Sequence, residues 1–224
     1  MDTDAKTYQH DFLQLAIDVG ALRFGEFTLK SGRISPYFFN AGAFDHGAAL
    51  ARLGNLYARA IVDTVSGEFM LFGPAYKGIP LAAATAVALA ARFVTDVGYA
   101  FNRKEAKDHG EGGILVGAPL AGQVVIVDDV ITAGISIDES VGAIRAAGAA
   151  PIAVIIALDR QERGLEDERS AVAALAQRHG LQIRALAGLD TLMRFLTERA
   201  GFAAELEAVR AYHRRYGVSA VGDG

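Results

Sequence analysis

The sequence predicts an α/β fold, a central, mostly parallel sheet flanked by helices, on three observations. Two unbroken apolar runs, in "QVVIVDD" and "PIAVIIALDR", have the length and β-branched content of strands buried on both faces. Segments with helical spacing of apolar residues separate such runs, as crossover connections between parallel strands require. Three chemically rich loops, "GPAYKG", "DDVITAG" and "DRQERG", follow predicted strands, at the carboxyl ends where sheets of this kind bind ligands.

Taken in order, Phe12, Leu15, Ala16 and Val19 share one side of a helix over residues 8–19. The aromatics, Gly and Pro of "LRFGEFTLKSGRISPYFFNAG" suit short strands and a turn. Asp45 is placed to cap a helix reaching about residue 64, with Leu50, Leu53, Leu56, Tyr57 and Ile61 along one side. "FMLFG" reads as a short strand before an Ala-rich helix over 79–91, and "GYAFNRK" as a strand entering the polar loop "RKEAKDHGEGG". "QVVIVDD" is the clearest buried strand, with a helix over 137–147 after it, and "PIAVIIALDR" is the next strand. Helices over 169–177 and 202–216 with the strand "LQIRALA" between them complete the chain, and 217–224 reads as a frayed tail. The reading is one domain over 1–224, in which about 1–43 contributes a small N-terminal hood lobe and 44–216 the α/β core.

Composition narrows the function. With 224 residues, 52% hydrophobic and 21% charged, the chain is long and apolar enough for a substantial core. A net charge of −4 argues against a general nucleic-acid binder while leaving room for a local cationic site. The absence of cysteine excludes disulfides and thiolate chemistry. The Ala-rich segment is too short to span a bilayer and "MDTDAKTYQHDF" lacks a leader's apolar centre, so a cytoplasmic protein with no membrane partner is expected.

Asp128 and Asp129 lie side by side where a buried strand ends. One such Asp commonly caps the following helix, but two that repel, followed by "VITAG", need another account. Gly134 permits a turn whose amide N–H groups converge, and the helix beginning near Ile135 adds its positive dipole end. This is an anion site suited to a phosphate, with Thr132 or Ser136 adding a hydroxyl. Carboxylates just upstream suit vicinal sugar hydroxyls, so the stretch fits a ribose 5-phosphate. Elsewhere the residues alone leave alternatives open. "RKEAKDHGEGG" reads equally as a solvated charged loop, Lys77 as an exposed cation, Tyr76, Phe38 and Phe39 as packing aromatics, and Arg160 as a surface partner of Glu162 or Glu166.

"VVIVDDVITAG" resembles the signature with which type I phosphoribosyltransferases bind phosphoribosyl pyrophosphate (PRPP). "LKSGRISPYFFNAG", "GPAYKGIP", "FNRKEAKDHGEGG" and "LDRQERG", in this order, resemble the orotate-specific members of that family over most of the chain. The resemblance implies the type I phosphoribosyltransferase fold and the transfer of ribose 5-phosphate from PRPP to orotate, in pyrimidine synthesis. Such a reaction passes through an oxocarbenium-like transition state and relies on positioning and electrostatics rather than a covalent nucleophile. The resemblance assigns PRPP to Lys30, Tyr76, Lys77, Arg103, Lys104, Lys107, His109, Asp128 and Asp129, and to the turn Val130, Ile131, Thr132, Ala133, Gly134, Ile135 and Ser136. Of these, Lys104, Lys107, His109, Asp128 and Asp129 are the expected catalytic groups, the first three on a mobile loop closing over pyrophosphate. Phe38, Phe39, Thr132 and Arg160 are the expected orotate contacts, Arg160 meeting the carboxylate. Mg2+ is expected through substrate and water rather than a protein cage, and a homodimer with shared sites is expected as well. One position departs from the family pattern. Ile135 stands where a hydroxyl residue is common, so the side-chain contact to the 5′-phosphate is either missing or taken over by Ser136, and weakened binding is expected to persist through backbone donors. The rival expectations are a purine or uracil phosphoribosyltransferase, and a PRPP-sensing regulator without activity.

Overall fold

The computed structural model describes residues 2–107, 113–164 and 168–218, with backbone alone for 2–7, 104–107 and 113. The chain opens with α1 (Asp2–Asp18), the hairpin β1 (Leu22–Thr28) and β2 (Ile34–Phe39), a 3-10 turn (Ala41–Ala43) and α2 (Gly47–Val62). Next come β3 (Met70–Gly73), α3 (Gly78–Phe93), β4 (Tyr99–Lys107), β5 (Gly113–Gly117) and β6 (Gln123–Asp128). The remainder is α4 (Ile135–Ala146), β7 (Ala150–Asp159), α5 (Ala171–His179), β8 (Gln182–Gly188), α6 (Leu189–Thr197) and α7 (Ala203–Tyr216).

Six strands form one sheet in the order β5-β4-β3-β6-β7-β8, parallel throughout except for the antiparallel pair β4–β5. This is the predicted α/β class. The unbroken apolar run of β6 is explained by its alternation: Val125 and Val127 enter one core cluster with α1, α2, α3, α6 and α7, whereas Val124 and Ile126 enter another with α4 and α5. After exposed Gln123 both faces are covered, so positions 124–127 are all apolar and buried, and the next polar residue of the strand is Asp128. The chain leaves β3 toward β4 on one side, and leaves β6 toward β7 on the other. The crevice at the carboxyl ends of β3 and β6 is therefore the topological switch point, where open α/β sheets place ligands.

Several expectations require correction. The polar segment from Arg103 does not leave the sheet at once: β4 continues to Lys107, across a register shift, against β5. That edge strand, "GILVG", is short and flanked by glycines, so it carries little periodic signal. Helix α6 was not expected either, although Leu189, Leu192, Phe195 and Leu196 bury one stripe of it. Helix α1 starts at Asp2, ahead of the apolar spacing near Tyr8. Asp45 does not cap α2; its carboxylate bonds His46, and His46 occupies the cap position without a side-chain cap bond. Phe12, Leu13 and Leu15 of α1 share one buried cluster with Leu186 of β8 and Phe195 of α6, which ties the start of the chain to its end. The separate two-stranded sheet β1–β2 packs on α7, where Tyr37 meets Tyr212 edge to face at 6.2 Å.

Candidate active site

The loop after β3 and the end of β6 meet because glycine lets them. A Cβ on Gly78 would lie 2.8 Å from the carbonyl oxygen of Val127 and 2.6 Å from Pro74, so only glycine allows α3 to begin this close to β6. Lys77, just before it, is thereby brought over the crevice, where its Nζ lies 2.6 Å from Asp129 Oδ2. Within the same loop the Ala75–Tyr76 peptide is cis, and Ala75 N–H donates to Asn102 Oδ1 at 2.8 Å. Tyr76 is 66% exposed.

The two carboxylates are held in different ways. Asp128 Oδ1 accepts from the backbone N–H of Asp129 at 2.9 Å and Oδ2 from Ser136 Oγ at 3.1 Å. Asp129 Oδ1 accepts from Val130 N–H at 2.9 Å, leaving Oδ2 to Lys77. Burial, then the neighbouring Asp129 carboxylate, pushes the Asp128 carboxyl up to about 6, against the opposing effect of Asp129 N–H, Ser136 and Lys77. The buried phenol of Tyr57 braces the strand end from α2, donating to the Asp128 carbonyl at 2.8 Å. On the other side, Ala157 N–H of β7 donates to the Asp129 carbonyl at 2.8 Å.

Behind the pair, Val130 and Ile131 turn inward, while Thr132 and Ala133 are exposed. Gly134 then opens α4 with a φ of 78°. That left-handed conformation favours glycine, and a Cβ there would lie 2.7 Å from the Leu175 side chain of α5, which would have to shift to admit it. The N-terminus of α4 thus lies beside the acids, tied to them by the Ser136–Asp128 bond, with its positive dipole end at the strand's carboxyl end. Ile135 is 63% exposed. The Ser136 hydroxyl donates to Asp128 Oδ2 at 3.1 Å.

The neighbouring strand end carries Arg160. Its guanidinium lies 4.5 Å over the ring of Tyr37, with Nη2 donating to Ser35 Oγ at 3.1 Å and meeting Glu162 Oε1 at 2.6 Å. The partner anticipated from the sequence is present, but the pair is largely enclosed, at 15% and 12% side-chain exposure, rather than on the surface. Phe38 and Phe39 do not form one wall. Alternation along β2 sends Phe39 into the core against Phe12 and Phe44, whereas Phe38 stacks on Phe27 at 5.5 Å on the other face. Lys30 sits exposed in the hairpin turn. Arg103, on β4, keeps its Nη1 buried without a hydrogen-bond partner among the described residues. The side chains of Lys104 and Lys107, and His109 altogether, lie outside the described residues. The sequence assigns no site role to Tyr57, Ser35, Arg33 or Tyr37, which meet their partners across long sequence separations where no spacing rule reaches, and the tie of Glu162 to Arg33 is of the same kind.

Among the described residues no cluster of three His, Cys, Asp or Glu could hold a metal ion, and no helix is long and apolar enough to cross a membrane. Comparison with known proteins gives the family of the chain. The model of the phosphoribosyl transferase domain family matches residues 41–177. The chain is 61% identical over 213 residues to the orotate phosphoribosyltransferase of Thioalkalivibrio sulfidiphilus, covering 95% of this chain and 100% of that one. It is 56% identical to the Pseudomonas aeruginosa enzyme of the same name, with the same coverage. The crystal structure of orotate phosphoribosyltransferase from Francisella tularensis superposes with a TM-score of 0.83 at 38% identity, covering 93% of this chain and 100% of that one.

Proposed function

The chain belongs to the orotate phosphoribosyltransferase family, an enzyme family of pyrimidine biosynthesis, and from that premise we propose how its own residues divide the transfer of ribose 5-phosphate from PRPP to orotate. The observation that carries the proposal is the meeting, at adjacent strand ends, of a carboxylate pair backed by a helix-opening turn with a largely enclosed arginine.

The turn Thr132 to Ser136 holds the 5′-phosphate through backbone N–H groups and the α4 dipole, a device that does not depend on the side chain of Ile135. Asp128 and Asp129 accept hydrogen bonds from the ribose hydroxyls and fix C1 toward the base. Lys77, kept in place by Asp129, faces the pyrophosphate, and the orphaned guanidinium edge of Arg103 supports a second cationic contact there. Lys104, Lys107 and His109 supply further donors to the departing group, a role resting on residue type and family resemblance. Arg160 receives the orotate carboxylate in a planar contact. Because the ring of Phe39 is committed to the core, β2 offers backbone groups at that position, with Thr132, Phe38, Lys30 and Tyr76 around the substrates.

The donor set fits Mg2+ as an ion carried in by PRPP: one oxygen of Asp129 is taken by Lys77 and one of Asp128 by Ser136, and few protein ligands remain. When bound, the ion neutralises charge on the pyrophosphate. Departure of pyrophosphate leaves positive character at C1 and O4′, and the anionic pair beneath the ribose stabilises it as orotate closes on C1. A cytoplasmic homodimer with shared sites is the assembly that the family resemblance supports. The test follows loss of orotate ultraviolet absorbance with PRPP and Mg2+, with uracil and hypoxanthine as parallel substrates. Turnover of orotate alone is expected, and Lys104→Ala is expected to remove most of it. Turnover of hypoxanthine or uracil in preference to orotate overturns the assignment of Arg160.

A further inference from the structure

Arg160 is anchored by groups that the transfer reaction does not touch. Tyr37 lies under its guanidinium, and Nη2 is shared between Ser35 Oγ and Glu162 Oε1. Glu162 is itself shared: Oε2 lies 3.6 Å from Arg33 Nη1, and Oε1 lies 3.4 Å from the hydroxyl of Tyr37. Arg33 reaches across from the hairpin turn, stacks on Tyr216 at 4.8 Å, and donates to the carbonyls of Arg163 at 2.8 Å and Gly164 at 3.1 Å. The segment bearing Glu162 is pinned by the end of α7, where Arg163 N–H donates to the Tyr216 carbonyl and Val218 N–H to the Gln161 carbonyl, each at 2.8 Å.

Two features follow from this arrangement. An arginine side chain has much rotamer freedom to lose on binding a ligand, and here the fold has already removed it. Two largely enclosed guanidiniums also share one carboxylate, so Glu162 does not use up the attraction of Arg160 for a further anion. We propose that Glu162, counter-anchored by Arg33, is a positioning residue that orients Arg160 for a substrate carboxylate and thereby determines which base is accepted. The proposal rests on the reading that Arg160 receives the orotate carboxylate. Its opposite is also physical: Glu162 would compete with the substrate for Arg160, and its removal would tighten binding.

Steady-state kinetics of the full-length enzyme separate these readings, using Glu162→Gln, Arg160→Ala and the double variant. Positioning predicts that Glu162→Gln raises KM for orotate about tenfold, with KM for PRPP little changed. The double variant should then be no worse than Arg160→Ala alone, since Glu162 acts through Arg160. Calorimetry gives a readout that general loosening would not move. Kd for orotidine 5′-monophosphate should rise about as much as KM, while Kd for uridine 5′-monophosphate, which lacks the carboxylate, stays put. An unchanged or lower orotate KM in Glu162→Gln, a parallel rise in both Michaelis constants, or multiplying effects in the double variant overturns the positioning role alone. If Arg160→Ala leaves the orotate KM unchanged, the underlying assignment of Arg160 falls instead. Should Glu162→Gln fail to fold, Ser35→Ala removes the other Nη2 contact. The same split, at about threefold, is then expected, and its absence counts against the proposal.

Discussion

The ends of β6 and β7 lie side by side, yet they are built on opposite plans. At the end of β6, Asp128, Asp129, the turn and Ser136 satisfy one another within one short stretch, and Lys77 and Tyr57 brace it from outside. At the end of β7, Arg160 owes its place to Ser35 and Tyr37, Glu162 to Arg33, and the loop to Tyr216 and Val218. The first device is local chain geometry; the second exists only when the hairpin, the β7 loop and α7 have docked. On the functional reading, the part of the reaction shared by all phosphoribosyl transfer is held by the local device. On the same reading, the part that distinguishes one base from another is held by the tertiary one. A tertiary device is the easier of the two to alter without losing the fold, because its members belong to separate elements.

The largest effect should come from the local device. Asp128→Ala with Asp129→Ala is expected to lower kcat/KM for PRPP by about 10³-fold, by removing the acceptors beneath the ribose and freeing Lys77, with the fold retained by circular dichroism. Gly134→Ala comes next. The left-handed φ and the approach to Leu175 should cost about 1–3 kcal/mol in denaturant unfolding. It should also raise the PRPP KM while leaving the orotate KM alone, and partial rescue of stability by Leu175→Ala would confirm the clash as its cause.

The pH dependence sharpens the same contrast. Asp128, pushed up to about 6, holds its proton in the folded state at pH values where the unfolded chain has lost it. Its contribution to stability is therefore fully present below its ordinary carboxyl value of 3.8 and declines as pH rises through about 6. Use of PRPP should run the other way: log kcat/KM for PRPP falls as pH drops below about 6, because a protonated Asp128 loses acceptor capacity. Ser136→Ala removes a hydrogen bond that favours the carboxylate, so it should move this midpoint upward. A smaller effect is expected at the tertiary device. Tyr216→Ala takes away the ring under Arg33 and should raise the orotate KM by about threefold without changing that for PRPP. Smallest of all, Ile135→Thr should lower the PRPP KM by about twofold, as one exposed hydroxyl is added beside the backbone donors proposed to serve the phosphate.

What could be read from the sequence follows the same division. The runs "QVVIVDD" and "PIAVIIALDR" gave their strands away because both faces are buried, and the acid pair with its turn was recognisable because its chemistry is contiguous. The latch around Arg160 was not legible, since Ser35 and Arg160 are 125 positions apart and only docking makes them neighbours. Phe38 and Phe39 look like a pair in the sequence, but strand alternation parts them. The hydrogen bond from Ser136 to Asp128 was not legible either, since eight positions separate them and only the turn at Gly134 brings the hydroxyl back to the carboxylate. Edge strand β5 was hidden by its shortness, and α6 by following β8 without any intervening loop.

The most direct test of the division between the two strand ends is a crystal structure of the enzyme with orotidine 5′-monophosphate bound. The account predicts the phosphate on the turn Thr132 to Ser136, the ribose hydroxyls on Asp128 and Asp129, and the base carboxylate on Arg160 with Glu162 still bonded to Nη2. A carboxylate turned away from Arg160, or a phosphate lodged elsewhere than that turn, would contradict it.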